Sequence, residues 1–315
     1  MKFLRDATPF TQVLFTLILI LLGGVLVSLL GFLVVLIGMG IGFEELSRIL
    51  ENFNQPENLG FLKFFQILQT VGMFILPPLV LAYYLDDKPF HYLSLNIKPA
   101  GILLAIVCAV ILVGGPVIEW ISLVNQQLVL PTWMNGVETW MRNSEEQAND
   151  ITKAFLSTES IPGLFGNLII VAVLPAIGEE LLFRGLLQKL IKKMTGNAHM
   201  AIWITAILFS ALHLQFFGFL PRLLLGALFG YLLEWTGTLW LPIIAHFINN
   251  AAGVLVFFMT GDGLETKQPD APLFNNPLFL WAIVSGVMVW ILLRYLYLNR
   301  EEHREIHVER DPFAD

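Results

Sequence analysis

Residues 161–178 read IPGLFGNLIIVAVLPAIG, and none of these side chains is ionisable. A helix that crosses a bilayer needs about 20 consecutive, mostly apolar residues, so this stretch is typical of a membrane-spanning helix. It runs directly into GEELLFRG at residues 178–185, which places two carboxylates and a guanidinium at the end of the apolar run. Both the fold and the candidate chemistry depend on this junction.

The whole chain shares the apolar character of this segment. Of its 315 residues, 56% are hydrophobic and 14% are charged, and the mean hydropathy is +0.72. A soluble domain cannot bury so much apolar surface, and segments in lipid must satisfy their backbone internally. The sequence therefore predicts an all-α fold, a polytopic transmembrane helical bundle. About eight candidate spans are found at residues 12–38, 62–85, 101–124, 161–182, 200–219, 221–235, 239–259 and 277–297.

Local features refine this bundle. The proline pair at residues 77–78 is expected to kink or break the second span. Gly226 and Gly230 form a small-xxx-small pair, which lets two helices approach closely. Segments 43–53 and 133–141 place apolar side chains at helical spacing among polar ones, which predicts amphipathic helices at the membrane surface. The second segment has an alternative interpretation as a lid or a substrate-guiding element.

Three regions are predicted along the chain. Residues 1–160 hold N-terminal spans and their interfacial connections, 161–260 form the candidate catalytic core, and 261–315 form the last span and a charged tail. Lys and Arg concentrate in the segments on the side of the two termini. By the positive-inside rule, both termini are expected in the cytoplasm, with the protein in the inner or plasma membrane.

Charge and cysteine content exclude other classes of protein. The formal net charge is −7 and there is no basic patch, so nucleic acid is not an expected partner. The single cysteine, Cys108, permits no disulfide framework and is interpreted as a small buried hydrophobe. The apolar N-terminal run extends without charge from residue 7 to residue 43, which is longer than a signal peptide and indicates a retained helix.

Ionisable side chains inside apolar spans are costly and usually functional. In GEELLFRG, Glu180 and Arg184 lie four residues apart, which places them on one helix face in the favourable order for an ion pair. Glu179 points about 100° away from that face and lacks this partner. Glu180 is therefore expected to be structural, and Glu179 to be free for chemistry.

Two further apolar helices offer one polar face each. Phe209 and His213 share a face of the fifth span, and His246 and Asn250 share a face of the seventh. If these faces converge on Glu179, the carboxylate can take a proton from water, while imidazole and amide groups stabilise an oxyanion. That chemistry is peptide-bond hydrolysis. The same Glu179, His213 and His246 set is alternatively a ligand set for a divalent metal such as zinc.

The three polar stretches resemble the motifs of a known family. EELLFR (179–184) is similar to its EExxxR motif, FSALH (209–213) to FxxxH, and HFINN (246–250) to HxxxN. The family is the CPBP group of intramembrane proteases, which includes CAAX prenyl endopeptidases and bacteriocin-processing or self-immunity proteins. The resemblance covers residues 160–260.

The resemblance implies a role for each motif residue. Glu179 would be the general base that activates water, with His213 assisting it, and His246 and Asn250 would form the oxyanion site. The supporting residues would be Glu180, Arg184 and Phe209. The substrate implied is a membrane-associated peptide or protein, and both metal-free and metal-dependent forms of the reaction are compatible with the motifs.

Other functions give different expectations. A membrane scaffold or bacteriocin self-immunity protein with the same fold would bind a partner without cleaving it. A transporter with a Glu/His proton relay would show inverted repeats, which the sequence lacks. The sequence contains no HExxH zinc motif, no GxSxG serine motif and no GxGD motif, so the other types of membrane protease are not expected.

Overall fold

The computed structural model describes residues 4–38, 40–51, 55–261, 274 and 276–301. Within these residues the protein is all-helical, as predicted, and seven helices are long and apolar enough to cross a membrane. It is an integral membrane protein. The main helices in chain order are α1 (Pro9–Gly38), α2 (Phe43–Glu51), α3 (Leu59–Leu85), α4 (Gly101–Gln126), α5 (Asn135–Leu156), α6 (Ile161–Thr195), α7 (Ala198–Ala211), α8 (Phe216–Thr236), α9 (Trp240–Thr260) and α10 (Pro277–Leu298). Short helical turns lie at Pro56–Asn58, Pro89–Tyr92 and Thr132–Met134.

Helix α7 ends earlier than the sequence suggested. The predicted span 200–219 stops at Ala211, because the backbone N–H of His213 bonds the carbonyl of Ser210 and thereby leaves the α-helical pattern. The imidazole Nδ1 of His213 lies 2.9 Å from the carbonyl oxygen of Phe209, which the backbone no longer satisfies. His213 therefore sits in the turn after the helix and is not part of it. The prediction of a continuous span to residue 219 was wrong, and α7 is the shortest apolar helix of the eight.

The turn after α7 is tight. Leu214 has a φ of 53°, the left-handed conformation that non-glycine residues seldom adopt outside special turns. A 3₁₀ turn, Phe216–Gly218, then starts α8. The sixth span, Phe216–Thr236, is therefore longer than the predicted 221–235. The turn that contains His213 lies between the end of α7 and the start of α8.

Prolines loosen two of the long helices into π-helical turns. The turn at Thr70–Ile75 directly precedes the proline pair at residues 77–78, and the turn at Leu168–Val173 directly precedes Pro175. Proline offers no N–H and its ring displaces the carbonyl four residues earlier, so the hydrogen bonds shift to five-residue spacing. The predicted break of the second span is not found, because the helix continues through the proline pair to Leu85 and only its hydrogen-bond pattern changes.

Another π-helical turn, Leu181–Leu187, lies within α6 and contains Arg184. No proline accompanies it. Such turns are frequent at functional sites, and this one follows the two glutamates of the first motif directly.

The close approach predicted at Gly226 and Gly230 is confirmed, and α7 is the helix that approaches. A Cβ atom on Gly226 would lie 3.2 Å from the ring of Phe209, and one on Gly230 would lie 2.9 Å from the side chain of Ile202. Because these glycines have no side chains, the backbone of α8 packs directly against side chains of α7.

Replacing Gly230 by Val is expected to lower the stability of the protein by about 1–3 kcal/mol, because overpacking forces side chains and backbone apart. The measurement is the thermal unfolding midpoint in detergent. Gly101→Ala is the control, since nothing lies within 4 Å of a Cβ atom there. An unchanged midpoint for Gly230→Val would contradict the close packing of α7 on α8.

The two predicted amphipathic segments form helices α2 and α5. In α2, Leu46 is buried and Phe43 is exposed, whereas the side chain of Leu50 and residue Phe53 lie outside the described residues. The charged tail from 302 onward also lies outside them.

Helix α5 lies over the turn that joins α7 to α8. Its Trp140 ring is 5.1 Å from the ring of Phe216, and its Glu145 carboxylate accepts a hydrogen bond of 3.2 Å from the backbone N–H of Phe217. Its last residue, Leu156, is buried and lines the central cavity described below. Helix α5 therefore covers the part of the bundle that positions His213.

Candidate active site

Glu180 and Arg184 form the buried centre of the first motif. The Nη1 atom of Arg184 donates to Glu180 Oε1 at 2.7 Å. Both side chains are almost completely buried, with 1% of Arg184 and 0% of Glu180 exposed. The second guanidinium nitrogen, Nη2, donates to the carbonyl of Gly226 at 2.8 Å. The ring of Phe209 lies 4.6 Å from the guanidinium carbon, a distance typical of a cation–π contact. The predicted pairing of Glu180 with Arg184 is confirmed, and it also holds α6 against α8.

Glu180 has a second partner that the sequence did not reveal. The Nδ1 atom of His246 lies 2.9 Å from Glu180 Oε1, the same oxygen that Arg184 binds. The His246 ring is stacked on Phe229, with 5.4 Å between the ring centres. Only the packing of α9 against α6 creates this contact, and no local spacing in the sequence indicates it.

Hydrogen bonding fixes which nitrogen of His246 carries a proton. Because a carboxylate oxygen paired with Arg184 only accepts, the Nδ1 of His246 donates to Glu180. The Nε2 atom is then the one directed to the second carboxylate, at 3.9 Å from Glu179 Oε2. His246 thus lies between the two glutamates of the first motif.

Glu179 differs from Glu180 in its surroundings. The Oε2 atoms of both glutamates are buried and have no hydrogen-bond partner among the residues that the structure describes, but Glu180 Oε1 is bound by Arg184 and His246. Buried polar atoms are almost always paired in proteins, so an unpaired carboxylate oxygen calls for a specific explanation. Glu179, unlike Glu180, lines a cavity, where its carboxylate can accept a hydrogen bond from a water molecule or a substrate.

His213 presents the opposite end of its ring. Its Nδ1 atom is 2.9 Å from the carbonyl of Phe209, and since a carbonyl only accepts, Nδ1 carries the proton. The Nε2 atom of the neutral ring then has a lone pair. The ring of Phe209 touches both imidazoles, with centres 5.2 Å from His213 and 5.9 Å from His246.

Asn250 is held by the irregular part of α6. Its side-chain Nδ2 donates to the carbonyl of Val171 at 3.1 Å, and its Oδ1 accepts from Asn249 at 3.2 Å. The residue four positions after Val171 is Pro175, which has no N–H to offer that carbonyl. Proline therefore frees a backbone acceptor that fixes the amide, and one hydrogen of that amide is left for another partner.

One cavity of about 660 Å³ joins these groups. Its walls come from α4, α6, α8, α9 and the turn after α7, with single residues from α5, α7 and α10, and most of them are apolar. Its polar lining residues include Glu179, His213, Arg222, His246, Asn249 and Asn250. The structure thus brings together all four predicted catalytic residues, which the sequence placed on three separate elements.

Two of these lining residues were not singled out from the sequence as site residues. Asn249 directly precedes Asn250, and nothing in the sequence distinguished it from a polar residue without a role in the site. Arg222 marked only the boundary of the sixth span. The one available signal for Arg222 was the presence of a cation near the start of an apolar helix.

The geometry does not form the alternative metal centre. Among the residues that the structure describes, no three His, Cys, Asp or Glu side chains are arranged to hold a metal ion. The Nδ1 atoms of both imidazoles are already engaged, one by Glu180 and one by the Phe209 carbonyl. Glu179, His213 and His246 line one cavity without meeting at a common ligand position, so we derive no metal-dependent step.

Comparison with known proteins identifies the part of the chain that carries this site. Over 120 residues, 37% of this chain, it is 33% identical to the uncharacterized protein YpbD of Bacillus subtilis (strain 168), and the matched region covers 57% of that protein. The chain therefore spans little more than half the length of this relative. No solved structure matches. A family model described as type II CAAX prenyl endopeptidase Rce1-like matches residues 161–252, which contain all three motifs. The relationship predicted from those motifs is thereby confirmed: residues 161–252 are similar to the Rce1-like type II CAAX prenyl endopeptidases.

Proposed function

We propose that the protein is an intramembrane endopeptidase that hydrolyses a peptide bond of a membrane-associated protein or peptide. The observation that carries this proposal is the unpaired Glu179 oxygen, 3.9 Å from His246 Nε2 in a cavity also lined by His213 and Asn250. We further propose, from the distribution of Lys and Arg and with the short apolar helix α7 as an eighth crossing beside the seven long spans, that it lies in the plasma membrane with both termini in the cytoplasm.

Glu179 is the general base in this proposal. A water molecule that donates to its free oxygen loses a proton to the carboxylate as it attacks the substrate carbonyl carbon. The Nε2 lone pair of His213 can accept the other hydrogen of the same water, which orients the oxygen lone pair towards the carbonyl. The protonation state that the Phe209 carbonyl imposes on His213 is the one this role requires.

His246 and Asn250 are the oxyanion donors. A neutral His246 with its proton on Nδ1 cannot donate from Nε2, so this role requires the cationic ring. Its Nε2 atom lies 3.9 Å from Glu179 Oε2, beside the carboxylate that activates the water. Asn250 keeps one amide hydrogen after donating to Val171. As the tetrahedral intermediate collapses, the C–N bond breaks and the proton held by Glu179 passes to the leaving amine.

Filling the cavity is expected to slow turnover without unfolding the protein. Gly253 lines the cavity and has no atom within 4 Å of a Cβ position, so Gly253→Leu places four carbons in the space a substrate needs. We expect a loss of about 10–200-fold, the range for one misfit group in an apolar pocket. The measurement is the cleavage rate, with Gly253→Ala as the graded control. Equal rates for the Leu variant and the wild type would show that substrates bind elsewhere.

The proposal is tested by finding the cleaved bond. New N-termini are labelled in membranes from cells that express the wild-type chain or Glu179→Gln, and termini found only with the wild type identify substrates. Purified wild-type protein in lipid vesicles must then cleave the same bond. A scaffold or self-immunity protein with this fold predicts no such termini and full biological activity in the Glu179→Gln variant. That outcome would reject the protease.

A further inference from the structure

Arg222 is a cation in the candidate site that the hydrolytic steps do not use. It lies in the first turns of α8, is half-buried, and lines the same cavity as Glu179 and His246. Its guanidinium donates twice to one residue, from Nη1 to the backbone carbonyl of Gln215 at 3.1 Å and from Nη2 to the Gln215 side-chain oxygen at 2.8 Å. These contacts fix the position of the charge but do not neutralise it.

The contrast with Arg184 shows what Arg222 lacks. Arg184 has a carboxylate at 2.7 Å, whereas among the described residues no carboxylate lies within 4.0 Å of the Arg222 guanidinium. Glu145 and Glu179 are the acidic residues that influence it electrostatically, without direct contact. Glu145 is itself bound to the backbone N–H of Phe217. An uncompensated guanidinium against apolar walls in a membrane is expensive, and such residues normally mark a binding site.

The backbone beside Arg222 is adapted to its side chain. A Cβ atom on Gly218 would lie 2.3 Å from Arg222 Nη2, so only glycine leaves the guanidinium in this place. The cavity around it is mostly apolar, with residues such as Leu225 and Leu228 on the same helix. A ligand that matches these walls combines an apolar chain with one anionic group.

We propose that Arg222 binds a carboxylate carried by an apolar peptide substrate and so selects where the peptide lies relative to Glu179. This inference rests on the proposed protease function and specifies its substrate class. Arginine suits the task because its planar guanidinium matches the two oxygens of a carboxylate. The carboxylate is either the free C-terminus of the peptide or an Asp or Glu side chain close to the cleaved bond.

Binding measurements separate these sources. Three dansyl-labelled peptides of eight Leu, Ala and Val residues serve as probes: one with a free C-terminal carboxylate, one with a carboxamide, and one carboxamide that carries an internal Glu. Fluorescence titration of the purified protein in detergent is expected to give at least about tenfold tighter binding of one or both carboxylate peptides than of the plain carboxamide. Whichever anionic peptide shows the preference identifies the source of the carboxylate.

Variants locate the preference. Arg222→Gln is expected to reduce the preference for carboxylate peptides to about onefold, which means equal affinities. Gly218→Ala is expected to weaken the same preference, because it displaces the guanidinium while keeping its charge. Arg300→Gln is the matched control, since that arginine bonds the carbonyl of Tyr297 at the far end of α10 and should leave the preference unchanged. Gly218→Ala also serves if Arg222→Gln fails to fold.

The outcomes distinguish this inference from the proposed function. Equal affinities of the wild-type protein for all three peptides, no binding of any of them, or a preference that Arg300→Gln also removes would overturn the role of Arg222. Cleavage is followed separately by mass spectrometry. A carboxylate preference that depends on Arg222, with no cleavage of any bound or cellular peptide, would keep the binding site and reject the protease.

Discussion

Replacing Glu179 by Gln is expected to lower the rate of peptide-bond hydrolysis by about 10²–10⁴-fold, the usual contribution of a general base. Gln has the same shape as Glu but cannot take a proton from water. Because the Glu179 Oε2 atom has no hydrogen-bond partner among the described residues, the substitution breaks no hydrogen bond at that oxygen. The thermal unfolding midpoint should therefore stay close to that of the wild type.

The measurement is the single-turnover rate on the substrate found by terminus labelling, in lipid vesicles. Glu45→Gln, an exposed carboxylate on α2, is the control for the loss of one negative charge and should leave the rate unchanged. If Glu179→Gln retains more than about a tenth of the rate, a loss smaller than a general base supplies, Glu179 is not the base. Chemistry centred on His246 would then have to be considered.

Replacing Arg184 by Met is expected to destabilise the protein by about 3–5 kcal/mol, because removing one partner of a buried pair leaves the other charge uncompensated. Glu180 would keep only His246 as a partner. The double variant Arg184→Met, Glu180→Gln removes both charges, and its Gln oxygen can still accept from His246. We therefore expect the double variant to recover a large part of the lost stability.

The chain offers a matched control for this cycle. Arg142 and Glu138 have the same spacing of four residues and the same distance of 2.7 Å, but both reach solvent, with 48% and 16% of their side chains exposed. Arg142→Met should leave the unfolding midpoint nearly unchanged, because solvent screens such pairs. Denaturant titration in detergent of the wild type, Arg184→Met, Glu180→Gln and the double variant measures the coupling, with Arg142→Met as the control. Equal effects of Arg184→Met and Arg142→Met would contradict the structural role assigned to the buried pair.

The features that the sequence predicted correctly were those that depend on spacing along one helix. The pairing of Glu180 with Arg184 follows from four-residue periodicity, and the close packing at Gly226 and Gly230 follows from the absence of side chains. The apolar runs gave the all-helical fold in the same way. Each of these inferences needs only the geometry of a single helix.

The features that the sequence missed depend on contacts between helices or on local departures from ideal geometry. The contact of Glu180 with His246 exists because α6 and α9 pack together. The early end of α7 arises where the His213 N–H bonds the Ser210 carbonyl, which leaves the Phe209 carbonyl to the His213 imidazole. Arg222 acquires meaning only from the cavity that several helices and the turn after α7 enclose. Neither the protonated nitrogen of each imidazole nor the shape of this cavity can be obtained from residue spacing.

The spacing of Glu180 and Arg184 also bears on how the protein is made. Helices enter a membrane during synthesis before their later neighbours exist, and a lone charge at mid-bilayer resists that step by roughly 2.5–3.5 kcal/mol. Because both partners belong to α6, their charges can cancel within that helix before α8 and α9 are synthesised. Arg184 and Glu180 can then take up Gly226 and His246 as these helices arrive. The candidate active centre is thereby completed in the order in which the ribosome delivers its parts.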